Sequence, residues 1–88
     1  MWKLVWSEAA KRDLKKLDKH IAKLIILKTT TTLDHIENPL QCLVPLKHAN
    51  KRQYKYRIGN FRVICVLEEK ECIILAISLG HRKDIYKR

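Results

Sequence analysis

Residues 53–67, QYKYRIGNFRVICVL, constrain the fold more than any other stretch of this chain. Tyr54, Tyr56 and Ile58 alternate with Gln53, Lys55 and Arg57, the period-two pattern of a strand whose side chains point to opposite faces. Gly59-Asn60 is a two-residue hairpin signal, after which residues 61–67 return as a second strand. With Gly59 and Asn60 as the loop, Ile58 faces Phe61, Arg57 faces Arg62 and Lys55 faces Ile64. Lys55, Arg57 and Arg62 then project from one side of the ladder. Tyr54, Tyr56, Ile58, Phe61 and Val63 project from the other.

The remaining elements follow from this hairpin in both directions. Residues 2–6, WKLVW, are short, apolar and aromatic, which suits a strand. Ser7 is a candidate helix N-cap, with Glu8 placed for the positive end of the helix dipole. Leu14, Leu17, Ile21 and Leu24 then recur at helical spacing. Asp18 is a second candidate cap, so residues 7–37 read as a helical hairpin whose second helix turns Ile21, Leu24, Ile25, Leu33 and Ile36 inward. Threonines 29–32 are poor helix formers and weaken that reading, and Asn38-Pro39 ends the helix. Residues 39–50 read as a loop. After the hairpin, EEKE is a polar turn and CIILAISL is apolar on both faces, as a central strand would be. The order is β-α-α-β-β-β: one α+β domain over residues 1–88, with an antiparallel sheet of about four strands and the helical hairpin packed on one face.

Lysine and arginine number 19 against 9 acidic residues, a net charge of +10. Such a balance favours a polyanionic partner. Lys11, Arg12, Lys15, Lys16, Lys19 and Lys23 occupy the polar side of the helices. They are either a solvated face or a surface for nucleic-acid phosphates. His20 and His35 are expected on helices, facing solvent. Cys42, Cys65 and Cys72 lack metal-ligand spacing, and an odd count argues against a disulfide framework. A reducing compartment, most simply a cytoplasm, is expected. With no signal peptide and no apolar run of membrane-spanning length, no membrane role is expected, and no cofactor or metal is implied.

Arg57 opposite Arg62 is a conflict, because like charges directly across a ladder destabilise it. Either the long side chains splay apart and solvate, or a bound anion offsets the repulsion. The last strand returns antiparallel, so GHRKDIY, residues 80–86, leaves the sheet at the cationic end, with Gly80 permitting a sharp turn. Ile64, Val66, Leu75 and Ile77 would share the cationic face, so part of it should be covered, by the 39–50 loop or by a partner chain.

YRIGNFR at 56–62 and the closing GHRKDIY, behind a β-α-α start with Asn-Pro after the helices, resemble the RelE/ParE superfamily of prokaryotic toxins, and the RelE branch in particular. The resemblance implies a toxin of a toxin–antitoxin pair that cuts messenger RNA in the ribosomal A site. A ribose 2′-OH would attack the adjacent phosphate, leaving 2′,3′-cyclic phosphate and 5′-OH ends. It matches the family's functional positions to Lys55, Arg57, Arg62, Arg82 and Tyr86. The chemistry of these residue types suits those roles. Lys55 is a candidate general base, Arg57 and Arg62 can stabilise the added charge of a phosphorane-like transition state, and Tyr86 offers a ring for base stacking. Arg82 or His81 would serve the leaving oxygen, or His81 only shapes the turn or touches RNA backbone. Lys47, His48, Lys51, Arg52 and Lys83 are expected to contact RNA phosphates. The implied partners are the ribosome, messenger RNA and an antitoxin with an acidic, amphipathic segment. A ParE-like poison of DNA gyrase and a non-catalytic RNA- or ribosome-binding module are the alternatives.

Overall fold

The computed structural model describes residues 1–46 and 52–81. Strand β1 (Lys3–Trp6) leads into α1 (Glu8–Lys15) and α2 (Lys19–Leu33), followed by a single 3₁₀ turn (Pro39–Gln41). Strands β2 (Val44–Pro45), β3 (Gln53–Ile58), β4 (Phe61–Glu68) and β5 (Ile73–His81) complete the order. The sheet runs β1-β5-β4-β3-β2. The β-α-α-β-β-β expectation therefore holds with two refinements. The loop contains a two-residue strand, β2, at the sheet edge, and β1 joins β5 in parallel, making the sheet mixed.

Both helices start where the caps were read. The Ser7 hydroxyl accepts from the Ala10 amide at 3.0 Å, and the Asp18 carboxylate accepts from His20 at 3.0 Å. Their inner faces differ from the expected ones. Ile25, Thr29 and Leu33 are buried, while Ile21 and Leu24 face outward. Restarting the helix at Asp18 resets its phase, so the stripe leading from Leu14 through Leu17 does not continue into α2. Thr29 and Thr32 stay helical because the sheet holds them. Tyr56 on β3 donates its hydroxyl to Thr32 Oγ1 at 2.9 Å, and tertiary contact overrides weak propensity.

The outer edge of β1 is covered by the chain leaving α2. Leu4 donates its amide to Asp34 Oδ1 at 3.0 Å, His35 donates to the Trp2 carbonyl at 2.7 Å, and Trp2 donates to Ile36 at 2.9 Å. This pairing satisfies backbone groups that an open edge strand would expose. His35 makes the turn at φ 67, just beyond the helix, and is exposed, as is His20 on α2.

The main core lies between helices and sheet. Ala10, Leu14, Ile25 and Leu33 meet Ile58, Val63, Cys65, Leu67, Ile74, Ala76 and Leu79 there, with Leu4, Trp6, Tyr54, Tyr56 and Phe61 packed around them. No described helix is long and apolar enough to cross a membrane. The three cysteines are free, with Cys65 buried and Cys42 and Cys72 half-buried.

Burial pushes the Cys65 thiol from 9.0 up to about 12. The folded protein holds that proton while the unfolded chain releases it, so this group's contribution to stability is lost as pH rises above 9.0 towards 12. Native alkylation at mildly alkaline pH is expected to label Cys42 and Cys72, with Cys65 reacting only after denaturation; mass spectrometry of the modified peptides checks this. The Thr29 hydroxyl is buried and hydrogen-bonds to no described residue. Thr29→Val is therefore expected to raise stability by about 1 kcal/mol in denaturant titrations.

Candidate functional site

The hairpin turn fixes which side chains meet. Gly59 sits at φ +54, whereas Asn60 is not left-handed, the glycine-first pattern of type II′ turns. A Cβ at Gly59 would meet nothing within 4 Å, so the glycine is required by backbone conformation and not by space. The resulting register pairs Ile58 with Phe61, Arg57 with Arg62, Tyr56 with Val63 and Lys55 with Ile64, the pairing expected from the alternation.

Rows of paired residues cross the sheet on the face away from the core. One row runs Gln53, Val66, Leu75 and Val5. The next runs Val44, Lys55, Ile64 and Ser78. The third, beside the turn, runs Arg57, Arg62 and Gly80. The face thus grades from apolar at one end to cationic at the other. Lys55 is half-buried and Arg57 exposed, but Arg62 is only 1% exposed. Arginine keeps its charge in any such setting, so Arg62 is a permanent cation inside the fold. A purely solvated arginine is ruled out at this position. Lys55, Arg62 and His81 are all engaged by neighbouring groups.

A bulge in β5 decides what lies next to that cation. Ile64 pairs with Ser78 but Cys65 with Ala76, leaving Ile77 as the extra residue. Beyond it the faces of β5 exchange. Leu79 turns into the core at 8% exposure, and Gly80 falls opposite Arg62. Straight continuation of the register would have set a leucine beside the arginine.

The bulge also places His81. It pairs with Phe61, and the two rings meet edge to face at 5.5 Å between centroids. Phe61 packs on the core side, so His81 lies on the opposite face of the sheet from Lys55, Arg57 and Arg62. The structure brings those three cations together and does not bring His81 to them. Arg52 is exposed just before β3, beside a cavity of about 300 Å³ that it lines with Leu67, Glu68, Glu69, Lys70 and Glu71, at the end of the hairpin away from the turn. Lys47, His48, Lys51, Arg82, Lys83 and Tyr86 lie outside the described residues. Among the described residues no cluster of side chains could hold a metal ion.

A residue that sequence reasoning passed over is Asp13. It reads as one polar position on a basic helix, yet its Oδ2 accepts the Leu79 amide at 3.0 Å, directly after the bulge.

Two helices packed on a mixed five-stranded sheet are consistent with the fold of the small toxins of the RelE/ParE superfamily. The family model for the ParE toxin of type II toxin–antitoxin systems matches residues 4–86, and the chain belongs to that family. It is similar to toxin RelG of Mycobacterium tuberculosis, 25% identical over 83 residues, spanning 94% of this chain and 93% of that protein. Its fold matches the RelBE2 toxin–antitoxin complex of the same organism with a TM-score of 0.80 at 21% identity, covering 92% of this chain and 98% of that one. The intact Escherichia coli RelBE complex matches with a TM-score of 0.68 at 17% identity, covering 92% and 96%.

Because Arg57 and Arg62 repel across the ladder, Arg57→Gln is expected to stabilise the isolated protein by a few tenths of a kcal/mol. The gain should shrink as salt screens the pair, which thermal melts across a sodium chloride series would read.

Proposed function

We propose that this toxin is a ribosome-dependent endoribonuclease that cuts messenger RNA in the A site, acts in the cytoplasm and is held in check by an acidic antitoxin. The observation that carries the reading is the permanent cation Arg62, kept inside the sheet directly opposite Arg57 with Lys55 on the same face. Charge used only for solubility has no reason to be buried, because burial of an ion costs free energy that solvation avoids.

Cleavage requires a proton to leave the ribose 2′-OH, a bond to form from that oxygen to phosphorus, and the bond from phosphorus to the 5′ oxygen to break. The leaving oxygen then takes a proton. By resemblance Lys55 is the group that accepts the first proton, which it can do only as the neutral amine. Arg57 and Arg62 offer fixed positive charge where negative charge develops on the phosphoryl oxygens. By resemblance Arg82 serves the leaving oxygen and Tyr86 stacks on a base. His81, on the Phe61 side of the sheet, is suited to holding the strand end more than to proton transfer at the cations. With the ribosome orienting the message, a small domain needs few contacts of its own.

The antitoxin part of the proposal is supported by the solved relatives from M. tuberculosis and E. coli, both toxin–antitoxin complexes, and by the net charge of +10. The ParE description of the matching family model favours a second reading, a non-hydrolytic poison of DNA gyrase.

Ribosomes stalled on a defined message separate the two. Wild-type protein is expected to cut within the A-site codon only when ribosomes are present, as mapped by primer extension. Arg62→Ala and Tyr86→Ala should each slow cleavage, Arg62→Ala by on the order of 100-fold. An intact message, with gyrase-dependent DNA breaks in a parallel assay, would replace the nuclease reading by the second one.

A further inference from the structure

Beyond Trp6, β1 no longer covers the edge of β5, and α1 takes over. The Ser7 amide donates to the Ala76 carbonyl at 2.9 Å, the Ser7 hydroxyl donates to the Ile77 carbonyl at 3.3 Å, and Asp13 Oδ2 accepts the Leu79 amide at 3.0 Å. These bonds straddle the extra residue Ile77. The turn from strand to helix thus grips β5 at the one place where its register changes.

We infer that Asp13 is a positioning residue for the cation site, fixing the β5 bulge so that Gly80, and not Leu79, lies beside Arg62. Leu79 burial already leans towards the bulged pairing, since the straight one would turn Ser78 and Gly80 to the core in its place. The Leu79 amide adds a directional contact to that preference. In the bulged form its N–H reaches a carboxylate, a charge-assisted bond worth roughly twice a neutral one. Asp13 is half-buried on a helix whose neighbouring Lys11, Arg12, Lys15 and Lys16 are exposed, as suits a side chain turned towards the sheet. The catalytic consequence rests on the nuclease reading; the structural consequence does not.

The test compares full-length wild type with Asp13→Ala, which removes the acceptor, and Asp13→Asn, which removes the charge but keeps an acceptor oxygen. In Asp13→Ala, Leu79 amide protection is expected to fall roughly tenfold or more, and the Gly80 amide and Arg62 Nε resonances to move. Asp13→Asn should restore all three. On stalled ribosomes, Asp13→Ala should lower kcat by on the order of 10- to 100-fold, with half-saturating ribosome concentration unchanged and Asn within a few-fold of wild type. If circular dichroism shows Asp13→Ala unfolded, Asp13→Ser, too short to reach Leu79, carries the same comparison. Unmoved Gly80 and Arg62 resonances, or an Asn variant that behaves like Ala, would overturn the inference. Wild-type cleavage at full rate in Asp13→Ala would overturn it while leaving the nuclease reading intact. A wild type that cuts nothing would remove that reading, and the resonances alone would then decide the role of Asp13.

Discussion

The register of the β3–β4 hairpin is the constraint on which the rest of the structure depends. A two-residue turn with Gly59 in the left-handed region sets Arg57 opposite Arg62, and strand alternation does the rest. One residue of slip would carry Arg62 to the core side and Val63 to the other, moving a charge into the apolar cluster. Hydrophobic burial of Ile58, Val63, Cys65 and Leu67 therefore enforces the same pairing that the turn prescribes. The backbone positions of the two arginines are held opposite one another by a fold that has no low-energy way to separate them.

That cooperation explains why the hairpin could be read from the sequence. Its turn and its alternation are local signals, and both point to one register. The caps at Ser7 and Asp18 were legible for the same reason, because each acts within one helical turn. The inner face of α2 was not. Ile21 and Leu24 look like core residues beside Leu14 and Leu17, but helical phase across the Asp18 break depends on where the sheet lies. Tyr56 and the buried Thr29 position show what the sheet selected.

The β5 bulge was illegible on different grounds. Up to Ile77 either face of β5 would bury aliphatic side chains, so the phase shows only where Leu79 is buried in place of Ser78 and Gly80. Further information resides in a long-range polar contact, whose two ends, Asp13 and Leu79, lie at a sequence separation of 66. His81 shows the cost of missing it. Counted straight along the strand it appears to complete the cationic face, whereas the extra residue turns it to Phe61. Of the candidate site, the cations on β3 and β4 were thus recoverable from short-range pattern. The placement of residues 78–81 was not.

These two levels of specification bear on how a domain this small can hold two arginines opposite one another. Burying Arg62 opposes folding, and its repulsion from Arg57 adds to the cost. On a loop, both charges would relax into solvent and the cluster would be lost. On central strand β4, with β3 and β5 on either side, relaxation would require breaking the ladders that hold the core together. Rigid placement is in general the condition under which fixed charge stabilises negative charge that develops in a reaction. Gly80 puts no side chain of its own beside Arg62, and the α1 contacts to β5 hold it at that position. The electrostatic cost of setting Arg57 opposite a buried Arg62 and the rigidity with which the strands hold them there are two consequences of the same geometry.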